Sequence, residues 1–318
     1  MGKTFRIGTR GSQLALWQAN HVAERLRAQG LAVELEIIRT SGDRLQDPVF
    51  AAQHEGLSPN GTGIFIKEIE QALAAGQVDL AVHSLKDLPT QIEERFVLGA
   101  IPPRADARDA FVCEHFWGLH MLPFGSRVGT TSPRRRAMLL ALRPDLEFVE
   151  TRGNIDTRLR KWQEGTCDAL VLASAGLDRL GRTEHVHQRF GIDEVTPAPG
   201  QGALAIEVRA AVSEAATHDG ALWTALRTLH CETTAFAVEA ERAVLQALGG
   251  GCQLPLGAYC HRVDESWHLH AMAASADGES VVHFVEQSPK GIPAQELGER
   301  VAEALRQRGA VELLAAHV

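Results

Sequence analysis

Cysteine is scarce and unpaired in this chain. The five cysteines (Cys113, Cys167, Cys231, Cys252 and Cys260) are odd in number, scattered, and include no C-x-x-C pair. That usage argues against a disulfide framework or a structural zinc site and fits a reducing compartment. Long apolar runs are missing too, so no membrane span is expected. The start, Met1-Gly2-Lys3-Thr4-Phe5-Arg6, runs straight into a strand pattern rather than a secretory leader, and the expected location is the cytoplasm. Basic residues are in deficit, 32 against 40 acidic, for a net charge of −8. With no basic tail, neither a nucleic acid nor a membrane is an expected partner. Phosphate-loop signatures are absent: there is no G-x-x-x-x-G-K-[ST] and no G-x-G-x-x-G opening a helix.

What is present is an alternation of strand and helix over 318 residues, a length sufficient for two or three domains. Strand patterns at 4–9, 32–38, 78–82 and 96–101 are separated by helical patterns at 13–28 and 64–74. After Pro102-Pro103 the rhythm restarts, with strands at 127–130, 147–150 and 169–173 and helices at 133–142, 155–163 and 174–180. A further strand at 204–208 and a helix at 221–229 follow. Strands separated by helices predict an α/β fold with parallel sheets. The last part reads differently. A helix at 233–248 precedes strands near 256–261, 267–273 and 281–285 and a final helix at 293–308, the signature of a small α+β domain. The stretch 41–63 is polar and broken by glycine and proline, long for a connection inside a compact domain.

The placement of the basic residues says more than their number. Thr9-Arg10-Gly11-Ser12, His83-Ser84-Leu85-Lys86-Asp87, Thr130-Thr131-Ser132-Pro133-Arg134-Arg135-Arg136 and Thr151-Arg152-Gly153-Asn154 with Arg158 each follow a predicted strand. The carboxyl edge of such strands is where open α/β sheets bind ligands. Three of the four lead into a helix, whose first N–H groups favour an anion. Arginine grips carboxylate or phosphate through paired hydrogen bonds. Each junction alone reads first as solvated surface charge; four of a kind predict a polyanion site. Asp87 is a carboxylate among these cations. It is either a neutraliser of Lys86 or turn cap, or a base or counter-charge to a cation formed in a reaction.

Cys252 lies in Gly249-Gly250-Gly251-Cys252-Gln253-Leu254-Pro255, between a predicted helix and strand. Glycines leave the sulfur uncovered and let another molecule approach the backbone. The thiol is therefore either displayed for reaction or a small inert hydrophobe. His185-x-His187 and His268-x-His270 show no acidic or thiol partner along the chain, so they read as surface histidines and no metal is expected. Trp17 and Trp223 read as core.

Taken together, Ile7 to Gln18, Asp79 to Pro89, Val128 to Arg135, Leu177-Asp178-Arg179-Leu180-Gly181 and Gly249 to Gly257 resemble the porphobilinogen deaminase (hydroxymethylbilane synthase) family of tetrapyrrole and haem biosynthesis. The similarity runs nearly end to end. It implies two periplasmic-binding-protein-like doubly wound lobes and a small α+β C-terminal domain, at 1–102 with 203–228, at 103–202, and at 229–318. It implies a cytoplasmic, monomeric transferase that joins four porphobilinogen molecules onto a dipyrromethane cofactor and releases hydroxymethylbilane and ammonia. By the same resemblance Cys252 holds the cofactor through a thioether. Ser84, Lys86, Asp87, Thr130, Ser132, Arg134, Arg135 and Arg158 would bind the cofactor. Arg10, Ser12, Gln18, Arg152, Gly153, Arg158, Arg179 and Gln201 would bind substrate or the growing chain. Asp87 would be catalytic, stabilising the cation left when ammonia departs. One segment departs from the family: Asn60-Gly61-Thr62-Gly63 stands where members often carry Gly-Gly-Lys-Gly. The residues alone also admit a non-enzymatic anion-binding protein, or a cysteine hydrolase with His261 or His230 as base.

Overall fold

The computed structural model of the chain describes residues 3–40, 66–210, 220–250 and 253–315. The chain divides into two units, Met1–Arg104 with Ala203–Ala235, and Ala105–Gly202 with Phe236–Val318.

The first unit is built on β1 (Thr4–Thr9), α1 (Gln13–Arg27), β2 (Ala32–Ile37), α2 (Lys67–Ala74), β3 (Leu80–Ser84), β4 (Phe96–Ala100), β10 (Leu204–Arg209) and α6 (Gly220–Leu229). Its sheet has the order β2-β1-β3-β10-β4. Strand β1 pairs in parallel with β2 and β3. Strand β10 runs antiparallel to β3 and β4, so the sheet is mixed where strand–helix alternation predicted it parallel. The physical reason is connectivity: β10 returns from a distant part of the sequence, and no helix need carry it across the sheet. Phe5, Ile7, Leu80 and Ile206 from the strands meet Ala19, Val22, Ala23 and Leu26 from one stripe of α1. Each large side chain so buried contributes about 1.5–3 kcal/mol. Trp17 corrects its core reading. It is 36% exposed and stacks on His21 at 5.0 Å, whereas Trp223 packs against the core from its edge.

The second unit contains two sheets. One uses β5 (Asp109–Cys113), β6 (Arg127–Gly129), α3 (Pro133–Leu142), β7 (Glu147–Val149), α4 (Ile155–Gln163), β8 (Ala169–Ala173), α5 (Ser174–Leu180) and β9 (Val186–Arg189). The order is β7-β6-β8-β5-β9, again with one reversed strand, β5, antiparallel to β8 and β9. Strands β5 and β9 have no counterpart in the sequence pattern; β5 is buried on every residue, so it shows no alternation to read. The other sheet belongs to the C-terminal α+β part: β11 (Leu256–Val263), β12 (Ser266–Ala274) and β13 (Val281–Pro289) in antiparallel order. Helices α7 (Glu232–Ala247), α8 (Ala294–Arg306) and α9 (Ala310–Ala315) supply the rest of its core with Ala240, Val244, Leu297, Val301 and Leu305. The chain is thus α/β, with two open five-stranded lobes and a small C-terminal α+β sheet domain.

Candidate functional site

In the first unit, parallel pairing of β1 and β3 brings two of the predicted junctions side by side. Arg10, Ser12, Gln18, Ser84 and Asp87 line one cleft, with Leu14, Val82 and His83. Ser12 caps α1, its Oγ accepting from the Ala15 N–H at 3.3 Å, which directs the helix N-terminus at the cleft. Gln18 is 2% exposed and donates from Nε2 to Ser84 Oγ at 3.0 Å, fixing that hydroxyl. Lys86 and Asp87 sit in a single 3₁₀ turn, Leu85–Asp87, that ends β3; the Asp87 side chain is exposed and Lys86 half-buried. Beneath this turn lies a pair that the sequence pattern does not announce. His83 Nε2 meets Glu207 Oε2 at 3.1 Å with both side chains buried. Burial, then the charge of Glu207, pushes the nearby Glu70 carboxyl above its ordinary range.

In the second unit, Ser132 caps α3 by accepting from the Arg135 N–H at 3.4 Å, and Pro133 occupies the first turn. Thr130 Oγ1 accepts from the Ser132 N–H at 3.2 Å and shapes the turn. Arg134 and Arg135 are 4% and 5% exposed and converge on Asp109, buried completely. Arg134 Nη1 stands 2.7 Å from Asp109 Oδ2, and Arg135 Nη2 donates to Asp109 Oδ1 at 2.7 Å. Gln201 joins them, donating from Nε2 to Asp109 Oδ1 at 2.9 Å. Burial alone would raise the Asp109 carboxyl, but the two guanidiniums hold it well below the usual carboxylate range; burial lowers Arg134. Two cations share one anion here, in the first turn of a helix whose dipole also disfavours cations. Arg134 also donates to Thr196 O at 2.7 Å, and Arg135 to Val171 O at 3.1 Å.

Of the remaining predicted residues of this unit, Arg152, Gly153 and Arg158 follow the end of the parallel strand β7, and Arg179 lies in the last turn of α5. Asn154 caps α4, its side chain accepting from the Thr157 N–H at 2.9 Å. Gly153 has φ +117°, and a Cβ there would meet Thr157 Cγ2 at 2.7 Å, so only glycine makes this turn. Arg158 Nε donates to Gly153 O at 2.7 Å, which ties the helix to the loop. Arg152 pairs with Glu150 at 2.9 Å at the surface. Arg179 donates to Gly202 O at 2.7 Å. Burial pushes its guanidinium down to about 10. Cys252 and the 41–63 segment with Thr62 lie outside the described residues. Asp109 carried no sequence signal, since its strand was not read, and Glu207 none beyond a lone acid in a strand; the partners that the fold supplies mark them.

Comparison with known families decides between the readings left open by the residues. The profile described as "Porphobilinogen deaminase, dipyromethane cofactor binding domain" matches residues 5–217, and "Porphobilinogen deaminase, C-terminal domain" matches 235–307. The chain belongs to the porphobilinogen deaminase family. A porphobilinogen deaminase of Syntrophobacter fumaroxidans is 45% identical over 98% of this chain and 97% of its own. One from Xanthomonas axonopodis pv. citri is 43% identical over 98% and 99%. Among solved structures, an ABC-transporter periplasmic substrate-binding protein from Coxiella burnetii matches with TM-score 0.40 and 18% identity, over 70% of this chain and 91% of that one. As a porphobilinogen deaminase the chain is a transferase, a hydroxymethylbilane synthase. It joins four porphobilinogen molecules stepwise onto dipyrromethane with loss of ammonia, then releases the linear tetrapyrrole by hydrolysis. The anion-receptor and cysteine-hydrolase readings fall away. The residues present fit the cofactor: a dipyrromethane carries acid arms and pyrrole N–H groups, and the cleft lined by Arg10, Ser12, Ser84 and Asp87 offers a guanidinium and hydroxyls to the first and a carboxylate to the second. No helix among the described residues is long and apolar enough to cross a membrane.

Proposed function

We propose that the family reaction is carried in this chain by the residues gathered at the carboxyl ends of its parallel strands. The observation that carries this is the convergence of Arg10, Ser12, Gln18, Ser84 and Asp87 on one cleft. Cys252 bears the dipyrromethane through a thioether. Ser84, Lys86, Asp87, Thr130, Ser132, Arg134, Arg135 and Arg158 hold it, and Arg10, Ser12, Gln18, Arg152, Gly153, Arg158, Arg179 and Gln201 bind substrate or the lengthening product. When bound, the dipyrromethane supplies the pyrrole α-carbon at which chain growth begins. The chain's own residues supply grip and charge. Guanidiniums and hydroxyls hold acetate and propionate arms, which fixes two pyrroles in reacting register. The exposed carboxylate of Asp87 would stabilise the positive charge left on a pyrrole nitrogen as ammonia departs and would accept a proton. Asp109 acts one step back, holding Arg134 and Arg135 in place.

We propose further that the chain is organised as domains 1–102 with 203–228, 103–202, and 229–318, the last carrying Cys252. It works as a cytoplasmic monomer with porphobilinogen as its small-molecule partner and no nucleic acid or membrane. Intact-mass measurement tests the central assignment. Wild type carries a dipyrromethane adduct, and Cys252→Ser does not. An unmodified, fully active wild-type protein would overturn it.

A further inference from the structure

The face of the C-terminal sheet turned away from α7 and α8 is lined with histidines. His261 lies directly across from His268 in the β11–β12 register, and His270 and His283 share that face. His261 stacks on His270 at 5.4 Å, and the His283 ring stands tilted to His270 at 6.1 Å. Strand spacing alone gives such a stripe no acid. The turn after β9 brings one: Asp193 Oδ1 lies 3.0 Å from His270 Nδ1 and 3.7 Å from His283 Nε2. All three ligand atoms fall within 4.8 Å of one another.

These separations have a chemical reading. In a tetrahedral zinc site with bonds of about 2.05 Å, ligand atoms lie about 3.3 Å apart. The observed 3.0 and 3.7 Å bracket that edge. Three surface groups drawn together by a hydrogen bond alone would give one short contact, His270 to Asp193. The approach of a second imidazole to the same carboxylate oxygen is the feature of a ligand set. His270 and His283 are 13% and 32% exposed, so the rings are backed by the sheet and little rotamer freedom is lost on binding, while Asp193 at 71% keeps the entrance open. Behind His270, His261 Nδ1 is buried with no hydrogen-bond partner among the described residues, an acceptor or donor ready for a metal-bound water.

We infer that Asp193, His270 and His283 bind a borderline divalent cation, Zn²⁺, through Oδ1, Nδ1 and Nε2, with water completing the shell. Two imidazoles and a carboxylate suit zinc and disfavour magnesium or calcium, which take oxygen ligands. Ligation requires His270 Nδ1 to be the unprotonated nitrogen, so a proton held there moves to Nε2 by way of solvent and the imidazole stays neutral. The ion would clip the 191–195 turn to β12 and β13. None of the three residues takes part in the proposed reaction, so turnover does not depend on the ion.

The test uses the full chain, treated with a chelator and shown to be metal-free, titrated with ZnCl₂ in a calorimeter. Expected are one saturable site per chain in wild type and a loss of affinity of at least ~10-fold in His283→Gln and in Asp193→Asn. Co²⁺ in place of Zn²⁺ gives the intense visible band of a tetrahedral site in wild type only. Melting in chelator is the same for all three proteins, since both substitutions are at accessible positions, and zinc raises it in wild type alone. The inference is overturned by the absence of saturable binding in wild type. It is equally overturned by unchanged affinity in both variants, which would assign the zinc to other groups such as the cysteines.

Discussion

Asp109→Asn separates the structural from the electrostatic work of the buried arginine pair. The substitution keeps shape and one acceptor oxygen for Arg135 and Gln201. It removes the negative charge that Arg134 Nη1 and Arg135 Nη2 share, each at 2.7 Å. Breaking a buried pair by deleting one partner costs about 3–5 kcal/mol. Two guanidiniums depend on this carboxylate, so the upper end is expected, against a total stability of about 5–15 kcal/mol. In urea denaturation followed by tryptophan fluorescence, with a slope of about 3 kcal/mol per molar, the midpoint falls by about 1–2 M. The pH dependence gives a second reading. Burial raises the Asp109 carboxyl, but Arg134 and Arg135 outweigh it and the folded value is depressed. A depressed value stabilises above the unfolded carboxyl value of about 3.9 and is lost as pH falls toward the folded one. The gap between wild type and variant therefore narrows by about 1.2 kcal/mol between about pH 5 and about pH 3, a figure that needs only a folded value well below 3. An unchanged urea midpoint, or a gap that is constant down to about pH 3, would refute the account of Asp109 as the counter-charge.

Asp87→Ala retains the fold, because the side chain is exposed, and lowers ammonia release by at least about 100-fold; wild-type rates would remove Asp87 from the reaction. Gly298→Ala, where a Cβ would stand 2.4 Å from Ala240 O on α7, destabilises by about 1–3 kcal/mol despite the better helix propensity of alanine. A melting temperature equal to or above wild type would show that the helices separate more easily than their packing implies.

The element pattern and much of the candidate site were legible because both rest on local rules. The helix starts at 13, 133 and 155 match the predicted ones because Ser12, Ser132 and Asn154 cap them by chemistry acting within three residues, and the basic junctions follow strands whose apolar runs are short and clear. Strands β5 and β9 were not legible, since β5 is buried on both faces and carries no alternation. Nor was the reversal of β5 and β10, which depends on pairing between segments more than a hundred residues apart in the case of β10 with β3.

The sequence by itself determined the α/β rhythm, the helix caps, the cationic turns and, through its motifs, the family. Tertiary structure alone decided that Arg134 and Arg135 share Asp109, that Gln18 fixes Ser84, that His83 meets Glu207, and that Asp193 reaches His270 and His283. The reason is physical: caps and periodicities are set by neighbours along the backbone, whereas the partner of a buried charge is whichever group the packing of distant segments brings within hydrogen-bonding distance.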